Sequence, residues 1–135
     1  MNEMVVFKDS GDMIPEHSLE FLESIKRTLF GSIVKLEAQR ATEPTMIYNT
    51  KLFTDRNEEI WLSGFTCGKP HHGAEMLCVL IAVLNWSPRY VPITEVMRVV
   101  RWNNSFRMSF QSGTSKKKIY YIAGNKVLNK KVNLN

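Results

Sequence analysis

Ser63 to Gly73 hold the densest group of chemically useful side chains in this chain, reading Ser-Gly-Phe-Thr-Cys-Gly-Lys-Pro-His-His-Gly. The β-prone run Ile60 to Cys67 leads through this glycine-bearing loop into a long apolar stretch, which predicts strand, loop and helix in that order. A helix start presents unpaired N–H groups at the positive end of its dipole, and glycines let backbone approach a phosphate closely. Gly68, Lys69, His71, His72 and Gly73 are therefore candidate phosphate ligands. The spacing fits neither a Walker loop nor the dinucleotide-binding fingerprint. A purely structural use of the same residues is a bulge at Gly64, a turn at Gly68 and Pro70, and an eased helix entry at Gly73.

Cys67 raises a second possibility, because a thiol at a strand end near a helix N-terminus and two histidines has the makings of a nucleophile. Cys67 would attack, His71 or His72 would act as base, and loop amides would hold an oxyanion. Most intracellular cysteines, however, serve as small apolar residues. For a metal, Cys67, His71 and His72 lack a fourth ligand at any recognised spacing, so no metal and no cofactor is expected.

The other candidate surface lies in the C-terminal half, where Arg98, Arg101, Trp102 and Arg107 interleave cations with aromatics. Cations neutralise phosphates and exposed rings stack on bases. Lys116, Lys117, Lys118 and Tyr120 add a lysine-rich hairpin tip and a ring that suit nucleic acid. Alternatively Phe106, Met108 and Phe110 are core, and the lysines guard a sheet edge.

Several elements must position these groups. Met4 to Phe7 is a short β-prone run. Pro15 to Phe30 has helical periodicity, with Pro in the first turn, acids early, and Gly31 as the stop. Residues 32 to 40 alternate with a period of two, while Met46 to Phe53 and Ile60 to Cys67 are further strands. Ala74 to Trp86 is apolar on almost every side and predicts the buried central helix. Ile93 to Trp102 fits a helix slightly better than a strand. Phe106 to Gln111 and Ile119 to Ala123 form a C-terminal β-hairpin around a loop from Ser112 to Lys118, and the last ten residues read as loosely held. The expected fold is α+β, an antiparallel sheet of about five strands with two or three helices, in a single compact domain over residues 1 to 135.

Composition narrows the function. The chain has 135 residues and a formal charge of +5. Residues 1 to 85 hold 8 cations and 12 carboxylates, a balance of −4, whereas residues 86 to 135 hold 10 cations and one carboxylate, a balance of +9. Such asymmetry suits an anionic partner. No apolar run approaches the roughly twenty residues of a membrane span, and the N-terminal residues lack the pattern of a secretory signal. Two cysteines make no disulfide framework, so the expected location is the cytoplasm. The expected function is a non-enzymatic protein that sequesters or senses a phosphate-bearing ligand, whether nucleotide, dinucleotide or cyclic nucleotide. Alternatives are a nucleic-acid-binding protein, a protein inhibitor of a nucleic-acid enzyme, or a small Cys/His-dependent hydrolase or transferase. The apolar central helix adds the expectation of a homo-oligomer without a membrane partner.

Overall fold

The computed structural model describes residues 3–40, 42–43, 45–69, 71–84, 93–109, 117–123 and 126–132; at 82, 83, 93, 109 and in the last two segments it describes backbone alone. The expected loop from Ser87 to Pro92, Pro70 and the hairpin loop with Lys116 lie outside the described residues. Within them, seven strands form one sheet: β1 (Val5–Lys8), β2 (Ile33–Gln39), β3 (Thr50–Thr54), β4 (Glu58–Leu62), β5 (Ser105–Ser109), β6 (Lys117–Ala123) and β7 (Lys126–Val132). The helices are α1 (Pro15–Ile25), α2 (His72–Val83) and α3 (Ile93–Trp102). This is the α+β arrangement the patterns imply, with the strands in the order β1-β4-β3-β2-β5-β6-β7.

All neighbouring strands are antiparallel except β1, which runs parallel to β4 with Phe7 opposite Ile60. The sheet is therefore mixed. Between β1 and β4 the chain passes through α1, β2 and β3, long enough for a crossover that short meander connections do not provide. The expected hairpin appears as β5 and β6, with Met108 opposite Ile119, and Lys126–Val132 carries the ladder one strand further. Lys117 and Lys118 fall inside β6, opposite Val132 and Lys131.

Every second residue of the central strands faces the helices. Leu36, Ala38, Leu52, Ile60, Leu62, Phe106 and Met108 are buried there against Leu22 of α1, Leu77, Leu80 and Ile81 of α2, and Val96, Val99 and Val100 of α3. α2 packs against both other helices and is the most buried of the three. It nevertheless keeps one outward side, since Val79 is 44% exposed. The helices thus cover one face of the sheet and leave the alternate side chains of β2, β3 and β4 on the other.

Element ends differ from the sequence expectation wherever a side chain captures backbone amides. α1 stops at Ile25, five residues before Phe30, because the Phe30 and Gly31 N–H groups donate to the buried Glu58 carboxylate at 2.8–3.1 Å instead of to helical carbonyls. β4 stops at Leu62, because Ser63 N–H donates to Asp9 Oδ2 at 2.8 Å and Gly64 N–H to Ser18 Oγ at 2.9 Å. Ser18 Oγ in turn donates to Asp9 Oδ2 at 2.6 Å. One carboxylate and one hydroxyl thereby fasten β1, α1 and the end of β4 together, a fully satisfied buried network.

Candidate functional site

At the entrance to α2 four backbone amides, those of Gly68, Gly73, Ala74 and Glu75, are already used. Gly68 has φ +82° and donates its N–H to Val100 O at 2.8 Å, which ties the loop to α3. His71 occupies the N-cap: its Nδ1 accepts the Gly73 N–H at 3.0 Å, and its carbonyl accepts from Ala74 and Glu75. A side-chain acceptor on the second helical amide is ordinary capping chemistry, and it takes one of the donors a phosphate would use. His72 Nε2 lies 2.6 Å from Glu16 Oε1, joining α2 to α1 and holding the Glu16 carboxyl below its ordinary value. Only Lys69 stands exposed at this entrance without a described partner.

Of the arginines of the second sequence candidate, Arg101 reaches the first turn of α2, whereas Arg98 and Arg107 are engaged or placed elsewhere. Arg98 donates through Nε to Glu95 at 3.1 Å and through Nη2 to the same carboxylate. Arg101 lies 3.9 Å from Glu75, and Trp102 is 70% exposed on α3. Arg107 is on β5 between Phe106 and Met108, which point to the helices, so it belongs to the opposite face of the sheet. Tyr120 lies directly opposite Arg107 in the β5–β6 register.

Cys67 is fully buried, and its thiol donates to Asn104 O at 3.4 Å. Burial pushes its pKa up to about 12, against a small opposing effect of Arg40. A thiol so placed stays protonated and packed, which is the opposite of an activated nucleophile. His71 and His72 are committed to Gly73 and Glu16 as described. Among the described residues no three His, Cys, Asp or Glu side chains gather as metal ligands.

A concavity lies on the uncovered face of the sheet. A cavity of about 350 Å³ is lined by residues of β2, β3 and β5 and the segment before β3, including Glu37, Tyr48, Asn49, Lys51, Ser105 and Arg107. Strand register aligns its charges: Trp61, Lys51, Glu37 and Arg107 are successive partners across β4, β3, β2 and β5. Glu37 is held by Lys35 at 3.6 Å. Lys51 Nζ stands 4.2 Å from the Trp61 ring centre, and Tyr48 packs against Trp61 at 5.9 Å while its hydroxyl donates to Asp9 O.

The polar wall of this cavity is incomplete. Among the described residues, three buried side-chain polar atoms have no hydrogen-bond partner: Asn49 Oδ1, Thr50 Oγ1 and Arg107 Nε. Two of the three belong to cavity-lining residues, and Asn49 is only 4% exposed. A buried polar atom without a partner costs about 1–3 kcal/mol, which a ligand supplying the missing bond recovers. Among the sequence candidates whose side chains are described, only Arg107 lines this cavity. Tyr48, Asn49, Lys51 and Trp61 belong to no motif, and for Lys51 and Trp61 the one signal in sequence is their place on the alternate side of a strand.

No protein-family model, curated protein or solved structure matches this chain. No helix among the described residues is long and apolar enough to cross a membrane.

Proposed function

We propose that the chain is a non-enzymatic binding protein that sequesters or senses a phosphate-bearing ligand of nucleotide type, held on the uncovered face of the sheet. The observation that carries this reading is the cavity whose wall contains the unpartnered Asn49 Oδ1 and Arg107 Nε beside Lys51. Arg107 and Lys51 supply charge for a phosphate. Asn49 supplies a buried amide that recognises a donor, and the Tyr48 and Trp61 rings offer flat apolar surface to a base. The buried, protonated Cys67 gives a hydrolase or transferase no support.

Calorimetry with mononucleotides, dinucleotides and cyclic nucleotides tests the reading. Binding is expected, and Arg107→Ala is expected to weaken it by about tenfold or more, the usual worth of a hydrogen bond to a charged group. Absence of binding overturns it. Binding unchanged in Arg107→Ala but lost in Lys69→Ala would instead place the ligand at the α2 entrance. We further propose a cytosolic homo-oligomer, for which both cysteines being free is one support. Native mass spectrometry reads copy number and any co-purifying nucleotide together, and a purely monomeric mass overturns the oligomer.

A further inference from the structure

The uncovered face extends well beyond the cavity. Lys8, Trp61, Lys51, Glu37 and Arg107 form one transverse row across β1, β4, β3, β2 and β5, each the register partner of the next. The neighbouring row holds Glu59, Phe53, Lys35 and Ser109, and its register continues to positions Lys118 in β6 and Lys131 in β7.

Resting on the binding reading above, we propose that the ligand is a single-stranded nucleic acid laid across these rows. Each ring in the rows has an ammonium over its face, one that a stacking base displaces toward its phosphate: Lys8 Nζ is 4.8 Å and Lys51 Nζ 4.2 Å from the Trp61 ring centre, and Lys35 Nζ is 4.2 Å from that of Phe53. A base stacked on a ring brings its phosphate to the adjacent cation, so the pattern repeats the chemistry of a nucleotide chain. Lys8, Lys35, Lys51 and Arg107 face two carboxylates, and both of these are engaged: Glu37 with Lys35, and Glu59 as acceptor of the Trp61 indole N–H at 3.0 Å. The net positive charge is thus left for phosphates. Five strands span about 19 Å at the usual strand separation, more than one nucleotide needs. Duplex is disfavoured because its bases are stacked inside and unavailable to the rings. An acidic peptide would satisfy the cations and leave the rings without stacking partners.

The test uses the full chain and fluorescein-labelled oligo(dT) of fifteen nucleotides, read by anisotropy and by Trp fluorescence at several salt concentrations. Expected is a log K against log salt slope of about −2, from about −0.7 per phosphate contact over Lys8, Lys51 and Arg107. Quenching of Trp fluorescence is expected on binding, as is affinity far above that for a single thymidine nucleotide. Trp61→Ala and Phe53→Ala should each weaken binding about tenfold. Because either could disturb packing, the surface substitution Lys8→Ala provides a second reading, with an expected flattening of the slope by about 0.7. Equal affinity for mononucleotide and oligonucleotide, lost in Arg107→Ala, overturns the polymer and leaves the cavity reading intact. Polyglutamate bound as tightly as oligo(dT), with Trp61→Ala and Phe53→Ala neutral, overturns it in favour of an acidic protein. Binding to none of these probes overturns both proposals.

Discussion

Glu58 shows how one residue shapes its surroundings. It is 3% exposed, yet its carboxylate accepts from Phe30 N–H, Gly31 N–H and Thr54 Oγ1. Burial on its own would raise its pKa, but the bonds from Phe30, Gly31 and Thr54 together carry it below the ordinary 4.5. A carboxyl with a lowered folded pKa adds stability that is present above the unfolded value and lost as pH falls through the folded one. Glu58→Gln replaces one acceptor oxygen by a donor facing N–H groups, and should cost about 1–3 kcal/mol near neutral pH. In urea titrations the gap from the parent protein should narrow as pH drops below about 4.5; a gap that is constant down to pH 3 would refute the charged role. None of this was legible in the sequence, where Glu58 is one of two adjacent acids in a turn. Only the fold brings the turn after α1 to it, from 27 and 28 residues away.

At the scale of elements, Gly64 marks where β4 yields to the loop and meets the start of α1. A Cβ there would lie 2.5 Å from Pro15 Cα and 2.6 Å from Pro15 N, both backbone atoms that cannot swing away. Gly64→Ala should therefore force α1 off the sheet end and destabilise the chain by about 1–3 kcal/mol, with a lower midpoint in thermal unfolding. A midpoint equal to the parent's would mean α1 is not docked there. Periodicity predicted where the elements lie: α1 begins at Pro15, β2 follows the alternation of residues 32 to 40, and α3 is the helix its stripe favoured. The ends moved wherever Asp9, Ser18 or Glu58 took over an amide, since a side chain distant in sequence leaves no local periodic trace. The same reason explains His71, which reads as a possible ligand in sequence and is a helix cap in the fold.

For the whole molecule, the sheet order puts β4, β3 and β2 in the interior of the ladder and β1 at one edge. Amides of β2 and β3, bonded on both sides and packed beneath α2 and α3, should show the slowest native hydrogen exchange, and those of β1 much faster exchange. Slow exchange in β1 equal to that in β3 would contradict this order. The charge of the molecule is likewise redistributed by the fold. The sequence divides into a −4 and a +9 half, but Lys8, Lys35 and Lys51 come from the acidic half and join Arg107 from the basic half on one face. Linear charge bias thus says nothing about which cations share a face.

The sequence by itself determined the α+β class, the apolar helix after Gly73 and the hairpin of β5 and β6, because these follow from local periodicity and turn chemistry. Only the tertiary structure decided that the helices share one face of the sheet, leaving Tyr48, Asn49, Lys51, Trp61 and Arg107 together on the other. The physical reason is that alternation gives each strand two faces, and nothing local says which neighbours lie beside it or whether a helix covers either face.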